Sequence, residues 1–208
     1  MFAPGVGRLL GATAAALALL AGLVATGTIP HPVAAYGALL VGAAVWAFLA
    51  VFFRDPERAI GEGIVSAADG RIRAVEREGD RWRISVFMSV TNVHVNRWPI
   101  DLTVDAIRQE GHGFRAAYRP DADRNVRRHY TATSALGPIE VVQITGVLAR
   151  RLVSFVHPGT SGRKGERFGM IVLGSRVDVL LPADRVTPTV SVGDRVRAGA
   201  SPIARVNP

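Results

Sequence analysis

Arg81-Trp82-Arg83-Ile84-Ser85-Val86-Phe87-Met88 alternates with a period of two residues. Trp82, Ile84, Val86 and Met88 fall on one side and Arg81, Arg83, Ser85 and Phe87 on the other, the pattern of a half-buried antiparallel strand. Ile100, Leu102, Val104 and Ala106 repeat it among more polar neighbours, and Ile139 to Ile144 reads as another strand. Val147 to Val156 mixes apolar residues with Arg150 and Arg151 and fits either a strand or a short helix. Residues 111–138, rich in Gly, Arg, Asp and Pro, are expected to form a long, mobile loop. The part of the chain after residue 53 is therefore expected to be mainly β.

Upstream the pattern changes. Leu9 to Ile29 and Val33 to Phe53 carry no charged residue, and each is close to the roughly 20 residues a helix needs to span a bilayer. Pro30-His31-Pro32 separates them, so residues 1–53 read as a helical membrane hairpin and 54–208 as the second domain. Arg8 precedes the first run, Arg54 and Arg58 follow the second, and the connection has no Lys or Arg. The positive-inside rule then places both ends, and the second domain, on the cytoplasmic side of the cell membrane. A cleaved signal peptide over the first run, or a hairpin dipping into one leaflet, are the alternatives.

Composition narrows the chemistry. The 208 residues include no cysteine, which removes disulfides, thiolate nucleophiles and cysteine-held metals. Lys164 is the only lysine and lies in a polar stretch, a poor place to anchor pyridoxal phosphate. Of the net charge of +8, residues 1–53 contribute only Arg8, leaving +7 on the remainder. With no nucleic-acid-binding motif alongside, that basic character points to an anionic membrane surface rather than to nucleic acid.

The step Gly174-Ser175 stands between an apolar run and another strand-like segment. A serine hydroxyl after glycine can fold back on the preceding carbonyl, although such pairs are also common in ordinary turns. The context is five segments in order: Phe52-Phe53-Arg54-Asp55-Pro56-Glu57-Arg58, Ala68-Asp69-Gly70, Asn92-Val93-His94-Val95-Asn96-Arg97, Gly165-Glu166-Arg167-Phe168-Gly169-Met170-Ile171 and Leu173-Gly174-Ser175-Arg176-Val177-Asp178. Together, from Phe52 to the C-terminus, they resemble the short bacterial form of phosphatidylserine decarboxylase. The resemblance implies self-cleavage at Gly174-Ser175 into a beta chain, 1–174, and an alpha chain, 175–208, which stay together as a heterodimer or a higher oligomer of it. It also implies a covalent pyruvoyl cofactor made from Ser175, which decarboxylates phosphatidylserine to phosphatidylethanolamine through a Schiff base. No metal is implied.

The resemblance carries His94 over as the histidine that assists processing and decarboxylation, and Asp69 as the aspartate of self-processing, with the physical role of orienting an imidazole. Longer family members have a second histidine three residues after the first; here that residue is Arg97. His157 is the alternative source of a second imidazole. Arg97 stays protonated and, with Asn96, is a candidate for substrate binding rather than for base catalysis. Glycines around Val156–Gly169 and Val190–Ile203 form a weak internal repeat whose spacing resembles the barrel-sandwich of lipoyl- and biotinyl-type domains. Two rival readings are a non-catalytic, membrane-anchored barrel-sandwich adaptor and the same chemistry on another serine-headed lipid such as archaetidylserine. A serine hydrolase fits poorly, because Leu173-Gly174-Ser175-Arg176-Val177 lacks the Gly-x-Ser-x-Gly elbow.

Overall fold

The computed structural model describes residues 1–29, 32–113, 124–146, 151–172 and 175–208. They form two compact units, Met1–Pro56 and Glu57–Pro208. The first consists of α1 (Gly7–Ala25) and α2 (Pro32–Phe52). The hairpin is closed at its open end by backbone bonds from Ala3 N–H to Phe53 O (2.9 Å) and from Asp55 N–H to Met1 O (2.8 Å). Part-way along, Trp46 Nε1 donates to Leu10 O at 3.0 Å. Mean hydropathy is 1.9 over Gly7–Ala25 and 2.1 over Val33–Phe52, and both helices are long and apolar enough to cross a membrane. Leu19, Leu40 and Val41 are exposed on them, as expected of side chains meant for lipid rather than for a protein core.

The second unit is built from β1 (Ile64–Val65), β2 (Gly70–Glu78), β3 (Arg81–Met88), β4 (Val95–Arg97), β5 (Leu102–Glu110), β6 (Arg127–Ser134), β7 (Gly137–Thr145), β8 (Arg151–Ser154), β9 (Ser161–Gly162), β10 (Arg167–Val172), β11 (Ser175–Pro182), β12 (Val186–Pro188), β13 (Arg195–Val196) and β14 (Pro202–Val206). Eight of them form one curled sheet in the order β13-β2-β3-β11-β7-β6-β5-β9. Two three-stranded sheets, β1-β14-β12 and β4-β10-β8, complete the unit. The core lies between these layers: Ile84, Val86, Val177, Val179, Val141 and Tyr130 from the large sheet meet Trp98, Phe168, Ile171 and Ile203.

Residues 81–88 form a strand whose apolar members Ile84, Val86 and Met88 are buried, as the alternation requires. The β5 pattern changes phase part-way. Leu102 and Val104 face the core, the register with β6 shifts between Val104 and Ala106, and Ile107 rather than Ala106 then packs inward. A similar shift between Ile72 and Ala74 lets both Ile72 and Val75 reach the core. Each extra residue raises the local twist, which is how a sheet of this width curls around one core.

The expected loop over 111–138 contains a strand, and 114–123 of it lie outside the described residues. Arg127–Ser134 is strand β6, paired along its whole length with β7, and His129 sits on it. Arg127, His129, Thr131 and Thr133 alternate onto the sheet's outer face, where Arg127 donates to Glu110 at 2.8 Å and His129 Nδ1 meets Glu140 at 2.5 Å. Polar strands of this kind hide from composition because the cross-strand partners are remote in sequence. Val153 and its neighbours are strand, not helix, over Arg151–Ser154, while residues 147–150, and with them Arg150, lie outside the described residues. Further along the outer face Arg176 donates to Asp178 at 2.9 Å, and burial pushes the Asp178 carboxyl up against the pull of that guanidinium.

Candidate active site

Ser175 is the first residue of β11, the strand flanked by β3 and β7 in the large sheet. It pairs with Met88 on one side and Thr145 on the other, and it is fully buried. Its hydroxyl donates to Met88 Sδ at 3.3 Å. A thioether is a weak acceptor, so this contact orients the hydroxyl without holding it strongly. Gly174, the other half of the expected scissile bond, lies outside the described residues.

The same sulfur receives the amide of Asn96, whose Nδ2 lies 3.7 Å from it. Behind Asn96 runs a buried chain of hydrogen bonds that composition does not announce: Tyr130 OH donates to Gln143 Oε1 at 3.1 Å, and Gln143 Nε2 donates to Asn96 Oδ1 at 2.8 Å. Burial raises the Tyr130 pKa, so the phenol keeps its proton and remains a donor. Gly169 makes the chain possible. A Cβ there would come within 2.6 Å of Val153 O and 2.9 Å of Gln143 Nε2. The register shift between Arg167 and Gly169 places this glycine opposite Asn96, while Phe168 turns away to stack on Trp98 at 4.1 Å.

His94 is buried immediately before β4, and Ile171 N–H donates to its carbonyl at 3.2 Å. Its Nδ1 lies 2.9 Å from Asn92 O. A carbonyl can only accept, so Nδ1 carries the proton and Nε2 is the basic nitrogen of the neutral ring. Alternation along the segment explains how His94 and Asn96 share a side.

Asp69 is placed differently from the expectation of a carboxylate backing an imidazole. Both its oxygens engage Arg58, through Nη1 and through Nη2 at 2.9 Å, and Ala198 N–H donates to it at 2.9 Å. Arg58 is the last residue of the 52–58 segment, so the signal was present without its meaning: nothing in the order of residues says that Arg58 and Asp69 pair. The side chains are only 10% and 11% exposed, so removing one partner leaves a charge stranded. Asp69→Asn should cost about 3 kcal/mol of stability, and Arg58→Ala a similar amount. The double variant in a denaturant titration should cost much less than the sum; additive losses would show that the two side chains do not act as a pair.

Arg97 is also buried, and its Nη1 donates to Gly165 O at 3.0 Å. Its backbone N–H donates to Ala67 O. Adjacent to Asn96 on a strand, it faces the other way. His157 is exposed, with Nδ1 2.9 Å from Pro158 O. The structure thus gathers Ser175, Met88, Asn96, Gln143 and Tyr130 through one chain of hydrogen bonds, with His94 two residues from Asn96, while Asp69 and Arg97 serve other contacts.

The family model described as phosphatidylserine decarboxylase matches residues 45–204. The chain belongs to the phosphatidylserine decarboxylase family. Within that family it is 43% identical over 164 residues to a phosphatidylserine decarboxylase proenzyme of Thermobifida fusca, covering 78% of this chain and 75% of the relative. It is 45% identical over 172 residues to one of Nitratidesulfovibrio vulgaris, covering 77% and 79%. A relative in Methanococcoides burtonii, provisionally named an archaetidylserine decarboxylase proenzyme, is 42% identical over 161 residues, covering 76% and 75%.

Proposed function

We propose that this chain is a proenzyme that cuts itself between Gly174 and Ser175 and then decarboxylates phosphatidylserine to phosphatidylethanolamine. The observation that carries the reading is the position of Ser175: a fully buried hydroxyl, held among the described residues only by a thioether, at the start of a strand inside a family of decarboxylase proenzymes. Ser175 Oγ attacks the Gly174 carbonyl carbon, the peptide C–N bond breaks, and the nitrogen takes up a proton to leave an ester. Removal of the Ser175 Cα proton expels the Gly174 carboxylate from Cβ, and water then releases ammonia from the new N-terminus to leave a pyruvoyl group. His94, with Nδ1 committed to Asn92, offers Nε2 to take the hydroxyl proton and later the Cα proton.

The site suits such a group. Ser175 is shielded from water, and the wall behind it is fixed by Asn96, Gln143 and Tyr130. The pyruvoyl carbonyl supplies an electrophile and electron sink for the substrate amine. Around it, His94 holds or returns the proton at the carbon that loses carbon dioxide, and burial keeps the departing carboxylate poorly solvated. In this reading Asn96 aligns the site through Met88. Asp69 acts through Arg58 and the Ala198 turn, and Arg97 fixes the Gly165 turn beneath β4. The hairpin anchors the enzyme in the cell membrane with both ends in the cytoplasm, and the cleaved chains remain a heterodimer. The glycines at 159, 165, 193 and 199 all adopt positive φ, which supports a barrel-sandwich arrangement of the 156–203 region. The archaeal relative favours serine-headed phospholipids as the substrate class, with the backbone of the lipid left open.

Intact mass of the purified protein tests this directly. Two chains, 1–174 and 175–208, with the smaller blocked at its N-terminus by a pyruvoyl group, are expected. A single uncleaved chain from native expression would refute self-processing and favour a non-catalytic membrane adaptor.

A further inference from the structure

A cleft of about 620 Å³ opens beside the site, walled by Asp69 on one side and Ser89, Thr91 and Asn92 on another. Its third wall carries Arg71, Arg195 and Arg197. Arg71 and Arg195 are directly opposite each other where β2 pairs with β13, and all three arginines are exposed. Like charges in that position destabilise a sheet. Arg71 donates to Gly193 O at 3.1 Å, and among the described residues neither Arg195 nor Arg197 has a side-chain ion pair or hydrogen bond. Among the described residues Asp69 is the only carboxylate on the cleft wall, and Arg58 already occupies it. The cleft is therefore cationic without an internal counter-ion, and it retains a repulsion that an anion would relieve.

Its location identifies the anion's place in the reaction. Asn92 holds His94 Nδ1, and Phe87 and Ser89, both on the cleft wall, flank Met88, the partner of Ser175. By contrast, Arg127 and Arg128, basic residues on β6, are already bound to Glu110 and Gln109. Resting on the function proposed above, we infer that this cleft binds the phosphodiester of the substrate headgroup, with Arg195 and Arg197 as its principal ligands and Arg71 in support. Guanidinium groups match phosphate oxygens in pairs, and the hydroxyls of Ser89 and Thr91 add neutral donors on the facing wall. A phosphodiester held here leaves the serine end of the headgroup directed toward the His94 segment.

The cleft is formed in the uncleaved chain, so the test does not need processing. Full-length Ser175→Ala protein in detergent is titrated with sn-glycero-3-phosphoserine and, separately, with inorganic phosphate by calorimetry. Glycerophosphoserine is expected to bind, and Arg195→Gln/Arg197→Gln in the same background to weaken it at least tenfold. The double variant should keep or raise the thermal midpoint without ligand, because it removes a repulsion; a large fall would overturn the unpaired-cation argument. Equal affinity in both proteins, or no binding to either, would overturn the subsite. Inorganic phosphate binding as tightly as glycerophosphoserine would make this a free-anion site and overturn the headgroup assignment. Failure of wild-type protein to cleave bears on the decarboxylase reading alone, since this titration uses a chain that cannot cleave.

Discussion

Ser175→Ala accumulates as one full-length chain of 22.1 kDa with no decarboxylase activity. In the proposed mechanism the hydroxyl is both the nucleophile that cuts the chain and the source of the cofactor carbonyl, so its loss is total rather than graded. Folding is not the reason. Ser175 is buried and, among the described residues, its hydroxyl makes a single weak bond to sulfur, so replacing it with alanine removes about 1 kcal/mol or less. The measurement is intact mass together with carbon dioxide release from phosphatidylserine vesicles, with the thermal midpoint as control. A processed chain, or activity from the uncleaved one, sinks the cofactor assignment.

His94→Gln slows maturation, decarboxylation or both by about 10² to 10⁴. Glutamine approximates the imidazole's size and can still donate to Asn92 O, but it cannot take a proton at neutral pH. Because glutamine keeps the bond to Asn92 O, a rate lost in this variant reports the missing proton acceptor rather than that contact. His94→Ala opens a cavity as well and should also lower the thermal midpoint. Pulse-chase of cleavage and steady-state turnover of the matured enzyme separate the two roles. Wild-type rates in both assays for the glutamine variant would remove His94 from the chemistry.

The strand at 81–88, the apolar helices and the ordered motifs ending at Gly174-Ser175 were legible because each is a local pattern. Period-two alternation, a run long enough to span a bilayer and a five-part motif order need no knowledge of what packs against what. Strand β6 was not legible: its outer residues are polar, and its partners on β5 and β7 hide the pattern. The phase changes at Ala74 and Ala106 escaped for a related reason, since a bulge is a property of two strands and alternation is read from one.

By itself the sequence determined a mainly β domain preceded by two apolar helices and the family, and it singled out Ser175 and His94 as the candidates for the chemistry. Only the tertiary structure decided which groups those side chains meet. It joined Asp69 to Arg58 across 11 positions, Gln143 to Asn96 across 47, and Ser175 to Met88 across 87. It also brought Arg195 opposite Arg71. The physical reason is that hydrogen bonds and ion pairs depend on distance in space. Antiparallel pairing sets that distance by register, which shifts at bulges that a single strand's side-chain order does not encode.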